Sequence, residues 1–224
     1  MELVWRCWTY QGVRMDWDAA SDEDLWHLVG QEADRAFETL FTRHATAVYN
    51  HCFRRTGSWS VAEDLVSIVF LRAWQMRRQV RFSGASALPW LLAVGNNACR
   101  NFERSQRRHH RLLSRIAEPE EVADPSWVVD AKVDDERRMG PILVALRSLN
   151  AREQDVLTMC DWAGLSYADA AVALEIPVGT VRSRLSRARQ RLRGAVGDSH
   201  ASPEEAIRSK RKPVAADIGP GDLK

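Results

Sequence analysis

The segment from Ser166 to Val196, SYADAAVALEIPVGTVRSRLSRARQRLRGAV, decides the fold of the C-terminal part of the chain. The spacing of Ser166 and Asp169 predicts the capped start of a brief helix. Residues 175–177 (Glu-Ile-Pro) interrupt that helix, and a longer helix is predicted from about Val178 to Val196. Two helices across a tight turn predict a helix-turn-helix.

The longer helix has one apolar face and one arginine-rich face. Val181, Leu185, Ala188 and Leu192 recur in steps of four, three and four residues, so we expect them to face the domain core. The outward face then carries Arg182, Ser183, Ser186, Arg187 and Gln190, flanked by Arg184, Arg189, Arg191 and Arg193. Arginine forms paired hydrogen bonds with guanine in the major groove and neutralises phosphates. Residues 178–196 hold six arginines and no acid, which predicts that this helix reads duplex DNA.

The preceding residues extend this helical unit toward the N-terminus. Asn150 and Glu153 have the spacing of a capping box, and Gly164 is placed to end the helix that they begin. The unit is predicted to run from Pro141 to about Val196.

The first half of the chain also has helical spacing and shows no alternating pattern bounded by turns, so we predict an all-α protein. One helix is predicted from about Glu32 to Thr56, with Gly57 ending it. A second is predicted from Ser60, whose hydroxyl would form a capping box with Glu63, to about Arg78. Its apolar stripe comprises Leu65, Ile68, Val69 and Trp74. A third helix, starting at Pro89, is predicted to end in a basic tract over residues 104–115.

Charge is distributed in blocks although the 224 residues have a formal net charge of only +2. Residues 72–115 carry ten arginines against Glu103, whereas residues 16–38 and 118–136 each have a net charge of minus seven. The division predicts a lead-in over 1–30, a helical domain over 31–115 and an acidic, partly disordered linker over 116–138. After the linker, a second helical domain is predicted over 139–196 and a disordered tail over 197–224.

With both halves in this order, the chain resembles the extracytoplasmic-function (ECF) group of bacterial RNA polymerase sigma factors. The resemblance covers roughly residues 31–115 and 139–195. It is carried by Ala62 to Val66 with Phe70 to Trp74, by Pro89 to Leu92 with Asn97 and Arg100, and by Gly179 to Arg189. Ser67, Leu88 and Gly95 depart from the usual pattern of the group, and these departures bear on promoter preference.

The resemblance implies a transcription initiation factor that binds core RNA polymerase, recognises a two-part promoter and promotes DNA melting. It implies that the β′ clamp coiled coil of the polymerase is contacted by Glu63, Asp64, Leu65, Phe70, Arg72 and Trp74. Of these, Leu65, Phe70 and Trp74 are equally compatible with a place in the core. The resemblance implies that the minus-10 element is bound by Arg77, Arg78, Arg81, Phe82, Ser83, Asn97, Arg100, Arg104, Arg107 and Arg108. It implies that the minus-35 element is bound by Thr180, Arg182, Ser183, Arg184, Ser186, Arg187 and Arg189. The β flap of the polymerase and an anti-sigma factor are further implied partners, with no cofactor, metal or catalytic residue.

Two other kinds of function were weighed. A stand-alone helix-turn-helix regulator would account for residues 139–196 but would leave 31–115 unexplained. An enzyme would have to use His44, His51 and Cys52, the only suggestive cluster, which offers neither an oriented base nor a full set of metal ligands. The four cysteines form no CxxC pair and no apolar run is long enough to span a membrane, so we expect a cytoplasmic protein without disulfides.

Overall fold

The computed structural model describes residues 9–10, 13–14, 16–17, 19–30, 34–81, 86–113 and 130–196. Its architecture is helical, which confirms the predicted all-α class. A short antiparallel pair, β1 (Thr9–Tyr10) and β2 (Val13–Arg14), precedes the helices, and the sequence pattern did not predict it. Phe82 and Ser83, most of the predicted linker and the whole predicted tail lie outside the described residues.

The N-terminal unit contains four described helices: α1 (Asp22–Gly30), α2 (Asp34–Thr56), α3 (Trp59–Met76) and α4 (Leu88–Leu113). They pack around a core that includes Leu25, Leu40, Val69 and Leu91, each at most 1% exposed. As predicted, α2 ends at Gly57, whose φ of 73° lies in the left-handed region that favours glycine.

The start of α3 differs from the sequence prediction. The helix begins at Trp59 after Ser58, and no capping box forms between Ser60 and Glu63. Instead, the backbone N–H of Trp59 donates to Glu136 Oε1 at 2.8 Å. A carboxylate 77 residues away therefore satisfies a free amide of the helix start, which local spacing cannot reveal.

The C-terminal unit contains α5 (Asp130–Arg147), α6 (Ala151–Leu157), α7 (Tyr167–Ala173) and α8 (Val178–Val196). A π-helical turn, Thr158–Trp162, continues α6. The prediction that this unit starts at Pro141 was wrong, because α5 begins eleven residues earlier and contains Pro141. Ion pairs of Asp134 with Arg137 and of Asp135 with Arg138 support these extra turns, as does the contact of Glu136 with α3.

The two units pack against each other. Leu143 of α5 is 8% exposed and lies over Gly57, where any Cβ would overlap its side chain. Arg54 of α2 donates to the carbonyl oxygen of Trp162 at 2.6 Å. The end of α2 therefore contacts both α5 and the π-helical turn that follows α6.

Candidate nucleic-acid interface

The predicted division of α8 into two faces is confirmed. Val181, Leu185 and Ala188 are at most 1% exposed and pack in the core. The opposite side, which we call the recognition face, consists of the exposed residues Arg182, Ser183, Ser186 and Arg187. Thr180 and Arg184 are partly exposed at its edges. An arginine face on the second helix of a helix-turn-helix has the placement needed to enter a major groove.

Local hydrogen bonds fix the angle between α7 and α8. The Ser166 hydroxyl accepts from the backbone N–H of Asp169 at 3.1 Å, which confirms the predicted cap. Glu175 takes a φ of 53° in the interrupting turn, and the Ile176 N–H donates to the Ala171 carbonyl oxygen at 3.0 Å. The Asn150 and Glu153 capping box is also present at the start of α6. The caps close the starts of α6 and α7, and the Ile176 bond joins the turn before α8 to α7.

Two of the predicted phosphate-binding arginines are engaged within the protein. Arg189 donates from two nitrogens to Asp161, at 3.0 and 2.5 Å. Its hydrogen bonds to Asp161 raise the pKa of Arg189 above its usual value, outweighing the effect of burial. Arg191 is bound to Glu153 Oε2 at 2.6 Å. Sequence reasoning missed these pairs because Asp161 and Glu153 lie 28 and 38 residues away in the chain.

A second basic face lies on α4. Asn97, Arg104, Arg107 and Arg108 are exposed there, and Arg100 is partly exposed between them. Their spacing places them along one side of the helix. Arg100, however, donates to Asp155 of α6 and to Asn97 of its own helix. In this arrangement the C-terminal unit therefore occupies part of the predicted minus-10 surface.

Arg100 belongs to a polar group between the units that we call the interdomain cluster: Arg55, Asn96, Arg100, Gln154 and Asp155. The side chain of Arg55 is fully buried, and one of its nitrogens donates to both Asn96 Oδ1 and Asp155 Oδ1 at 2.9 Å. Its other terminal nitrogen reaches Gln154 Oε1 at 3.3 Å. A guanidinium removed from water in this way requires such partners. No spacing in the sequence predicts this cluster.

The residues that lead out of α3 take different positions. Arg77 is half-buried, donates to the Trp74 carbonyl oxygen at 2.9 Å and lies 4.2 Å above the Trp74 ring. Arg78 and Arg81 are exposed. Thus two of the three predicted arginines present their side chains to solvent beside the segment 82–85, and the third packs on an aromatic ring.

The predicted polymerase surface on α3 needs correction in its apolar part. Leu65 and Phe70 are only 2% and 4% exposed, because their side chains fill the core between α2 and α3. Glu63, Asp64 and Arg72 are exposed, and Trp74 is partly buried against Phe37. Ile68 was expected in the buried stripe, yet Ile68 and Leu71 are 51% and 58% exposed. They stand four and seven residues after Asp64, so an acid and two apolar side chains share one outward face.

The histidines and cysteine weighed for an enzyme have structural partners. His44 Nε2 lies 2.6 Å from Asp22 Oδ2, and His51 Nε2 lies 2.9 Å from Asn96 Oδ1. Cys52 is fully buried. Within the described ranges no His, Cys, Asp and Glu side chains are grouped to hold a metal ion. No helix of that part of the chain is long and apolar enough to cross a membrane.

A helix-turn-helix with an exposed arginine face, joined to a helical unit with a second arginine face, defines a DNA-binding transcription protein. The chain matches the family model for Sigma-70 region 2 over residues 40–117 and that for Sigma-70 region 4 over residues 139–192. It belongs to the ECF group of RNA polymerase sigma factors, in agreement with the resemblance seen in the sequence.

Three relatives illustrate the family membership. The ECF sigma factor SigE of Mycolicibacterium smegmatis is 30% identical over 188 residues, covering 80% of this chain and 70% of SigE. SigL of Mycobacterium tuberculosis is 30% identical over 154 residues, or 69% of this chain and 85% of SigL. The sigma factor CarQ of Myxococcus xanthus is 29% identical over 166 residues, or 74% of this chain and 92% of CarQ.

Two solved structures share the fold. CnrH in complex with the cytosolic domain of CnrY has a TM-score of 0.60 and 21% identity, covering 81% of this chain and all of the CnrH chain. The sigma factor RpoE in complex with the anti-sigma factor NepR, from Bartonella quintana, has a TM-score of 0.52 and 22% identity. That match covers 73% of this chain and 98% of the RpoE chain.

Proposed function

We propose that this sigma factor binds core RNA polymerase through α3 and directs it to a promoter with separate minus-35 and minus-10 elements. The observation that carries the proposal is the recognition face of α8, where exposed arginines stand opposite a buried apolar face. Arg182 and Arg187 are the side chains suited to bidentate contacts with guanine at the minus-35 element. Arg184 and Arg193 are suited to phosphates beside it.

The minus-10 element is assigned to the N-terminal unit. Arg78 and Arg81 are exposed at one end of the segment that contains Phe82 and Ser83, and the basic face of α4 lies beyond its other end. Extruding a base from duplex DNA costs a few kcal/mol. Cationic side chains that hold the displaced strand by its phosphates offset this cost, which supports a role for Arg104, Arg107 and Arg108 in melting.

Polymerase binding is assigned to the outward face of α3. Asp64 and Glu63 supply negative charge, and Ile68 and Leu71 supply exposed apolar area beside it. A mixed acidic and apolar face suits a helical surface with basic side chains, such as the coiled coil of the β′ clamp. We assign the second polymerase contact, to the β flap, to the C-terminal unit.

The closed packing of the two units conflicts with simultaneous DNA binding by both arginine faces. Arg100 donates both to Asn97 of its own helix and to Asp155 of the C-terminal unit, so Arg100 is released from Asp155 only after the units separate. We propose that polymerase binding drives this separation. An anti-sigma factor that holds the units together would oppose it. The similar fold of RpoE, seen in complex with the anti-sigma factor NepR, supports an anti-sigma partner for this chain.

Run-off transcription tests the proposed function. Purified core polymerase is incubated with a library of genomic promoter fragments, with and without the protein, and transcript start sites are mapped. New start sites that share two spaced sequence elements are expected only when the protein is present. A protein that neither co-purifies with core polymerase nor changes the start sites contradicts the proposal. Tight, specific binding to duplex DNA without polymerase would instead indicate a stand-alone regulator.

A further inference from the structure

Helix α1 holds both described ends of the connection between α3 and α4. The indole Nε1 of Trp26 donates to the carbonyl oxygen of Val80 at 3.0 Å. The backbone N–H of Ala87 donates to Asp22 Oδ2 at 2.7 Å. Asp22 and Trp26 are four residues apart and therefore lie on the same side of α1. One turn of a single helix thus sets the separation between Val80, four residues after the end of α3, and Ala87, directly before the start of α4.

The carboxylate of Asp22 is buried and surrounded by hydrogen-bond donors. Asp22 is 2% exposed, and its other partners are Arg43 at 2.6 Å, His44 Nε2 at 2.6 Å and the Ser86 hydroxyl at 3.0 Å. Burial acts to raise the pKa of Asp22, but its hydrogen bonds with His44, Ala87 and Arg43 outweigh burial and hold that pKa well below the usual range. The group is therefore an anion with a complete set of donors.

Asp22 also acts on the start of α4. Its charge lies at the N-terminal end of that helix, where the helix dipole favours an anion. The Ser86 hydroxyl that donates to Asp22 also accepts from the Leu88 N–H at 3.2 Å, so Asp22 orients a side chain that caps the helix. Trp26 adds an edge-on contact to Trp90 in the first turns of α4, with ring centroids 5.5 Å apart. Helix α1 consequently fixes the position from which α4 projects its basic face.

We propose that Asp22 and Trp26 are positioning residues for minus-10 recognition: they set where Val80 and the start of α4 lie and do not themselves contact DNA. The proposal rests on the proposed minus-10 role of the arginines on either side. Both residues precede position 40, where the match to Sigma-70 region 2 begins. The role is therefore assigned by their contacts and not by the family match.

The test compares two substitutions with two matched controls. Asp22→Asn keeps the size of the side chain but removes its charge and one acceptor oxygen. Trp26→Phe keeps an aromatic ring and removes the N–H that Val80 accepts. Glu23→Gln removes a charge from the exposed neighbour of Asp22 on the same helix. Trp17→Phe removes an indole N–H for which the described residues offer no hydrogen-bond partner.

The measurements use holoenzyme assembled from core polymerase and full-length protein. A fluorescent single-stranded oligonucleotide, chosen from a randomised pool by the unaltered holoenzyme, reports minus-10 affinity. The ratio of its affinity to those of single-base variants reports discrimination. Core binding and binding of a duplex containing the minus-35 element are measured in parallel. For Asp22→Asn we expect about tenfold weaker single-strand binding, comparable to the loss of one hydrogen bond to a charged group, together with reduced discrimination. For Trp26→Phe, which removes a hydrogen bond between neutral groups, we expect a smaller loss of about two- to tenfold in the same direction.

The outcomes separate positioning from folding and from the proposed function itself. Unchanged single-strand affinity and discrimination in both variants would overturn the proposal, even if their melting temperatures fall. Equal losses in core, minus-35 and minus-10 binding would indicate a general folding role and also overturn it. If the unaltered holoenzyme selects no sequence from the pool, the minus-10 function on which the proposal depends is wrong. Glu23→Gln and Trp17→Phe are expected to match the unaltered protein in every assay.

Discussion

Arg55 of α2 and Asp155 of α6 form an ion pair at 2.9 Å across the boundary between the two units. The Arg55 side chain is fully buried, and the Asp155 side chain is 6% exposed. The second oxygen of Asp155 accepts from Arg100, a residue assigned to the minus-10 surface. The Asp155 carboxylate therefore holds the two units together and, at the same time, engages Arg100, a proposed DNA-binding side chain.

Asp155→Ala is expected to open the two units. Removing the carboxylate leaves buried Arg55 with only the partly exposed Glu103, 3.8 Å away, as an anionic partner. Breaking a buried pair in this way costs the closed arrangement up to about 3–5 kcal/mol. The radius of gyration from small-angle scattering should rise while helix content stays unchanged. Because Arg100 is released, binding of single-stranded DNA by the free protein should also strengthen.

Asp134→Ala is the matched control for this opening. Asp134 lies on α5 and pairs with Arg137 at 3.9 Å, but its side chain is 56% exposed. Exposed pairs of this kind contribute about 0–1 kcal/mol. An unchanged radius for Asp155→Ala, or an equal increase for Asp134→Ala, would show that the interdomain cluster does not hold the units together.

The sequence predicts most of what depends on neighbours along the chain. Caps at Asn150 and Ser166, the end of α2 at Gly57 and the two faces of α8 all follow from spacing within a few residues. The interdomain cluster, the Arg189 to Asp161 pair and the Glu136 contact with Trp59 join residues 28 to 100 positions apart. Single-sequence periodicity does not encode such distances, so these features required the structure.

Arg187→Ala is expected to abolish use of the minus-35 element while leaving core binding intact. Arg187 is exposed on the recognition face, and loss of one bidentate contact to a base costs about 1–3 kcal/mol. Footprinting of the holoenzyme on promoter fragments measures the first effect, and co-purification with core polymerase measures the second. Equal losses in the two assays would contradict the assignment of α8.

Asp64→Ala is expected to have the opposite pattern: weaker core binding, while the holoenzyme that does form at high protein concentration keeps the minus-35 footprint of the unaltered protein. Leu71→Ser tests the apolar part of the same face, because Leu71 is 58% exposed and its replacement removes contact area without disturbing the core. Burial of one such side chain contributes about 1.5–3 kcal/mol. Titration of each labelled variant with core polymerase measures its affinity for the polymerase. Full core affinity in both variants would remove α3 from the polymerase surface.

Stability is expected to fall between pH 6.5 and pH 4 because of His51. Burial lowers the pKa of His51 to about 4; the hydrogen bond with Asn96 acts in the opposite direction, and the charges of Arg55 and Arg54 lower the pKa further. Asp155, from the C-terminal unit, is paired with Arg55 at 2.9 Å. The folded protein therefore keeps His51 neutral at pH values where the unfolded chain takes up a proton.

The direction in which stability changes with pH follows from that difference in bound protons. Above pH 6.5 the imidazole is neutral in both states, and the contribution of His51 to stability is complete. As pH falls from 6.5 toward 4, the unfolded state binds more protons and stability drops by up to about 1.4 kcal/mol per unit. His51→Gln keeps a donor for Asn96 and removes the titration, so its unfolding free energy from urea titrations should change less over this range. His109→Gln, at an exposed position on α4, should retain the slope of the unaltered protein. Identical slopes for His51→Gln and His109→Gln would show that another group carries the pH dependence.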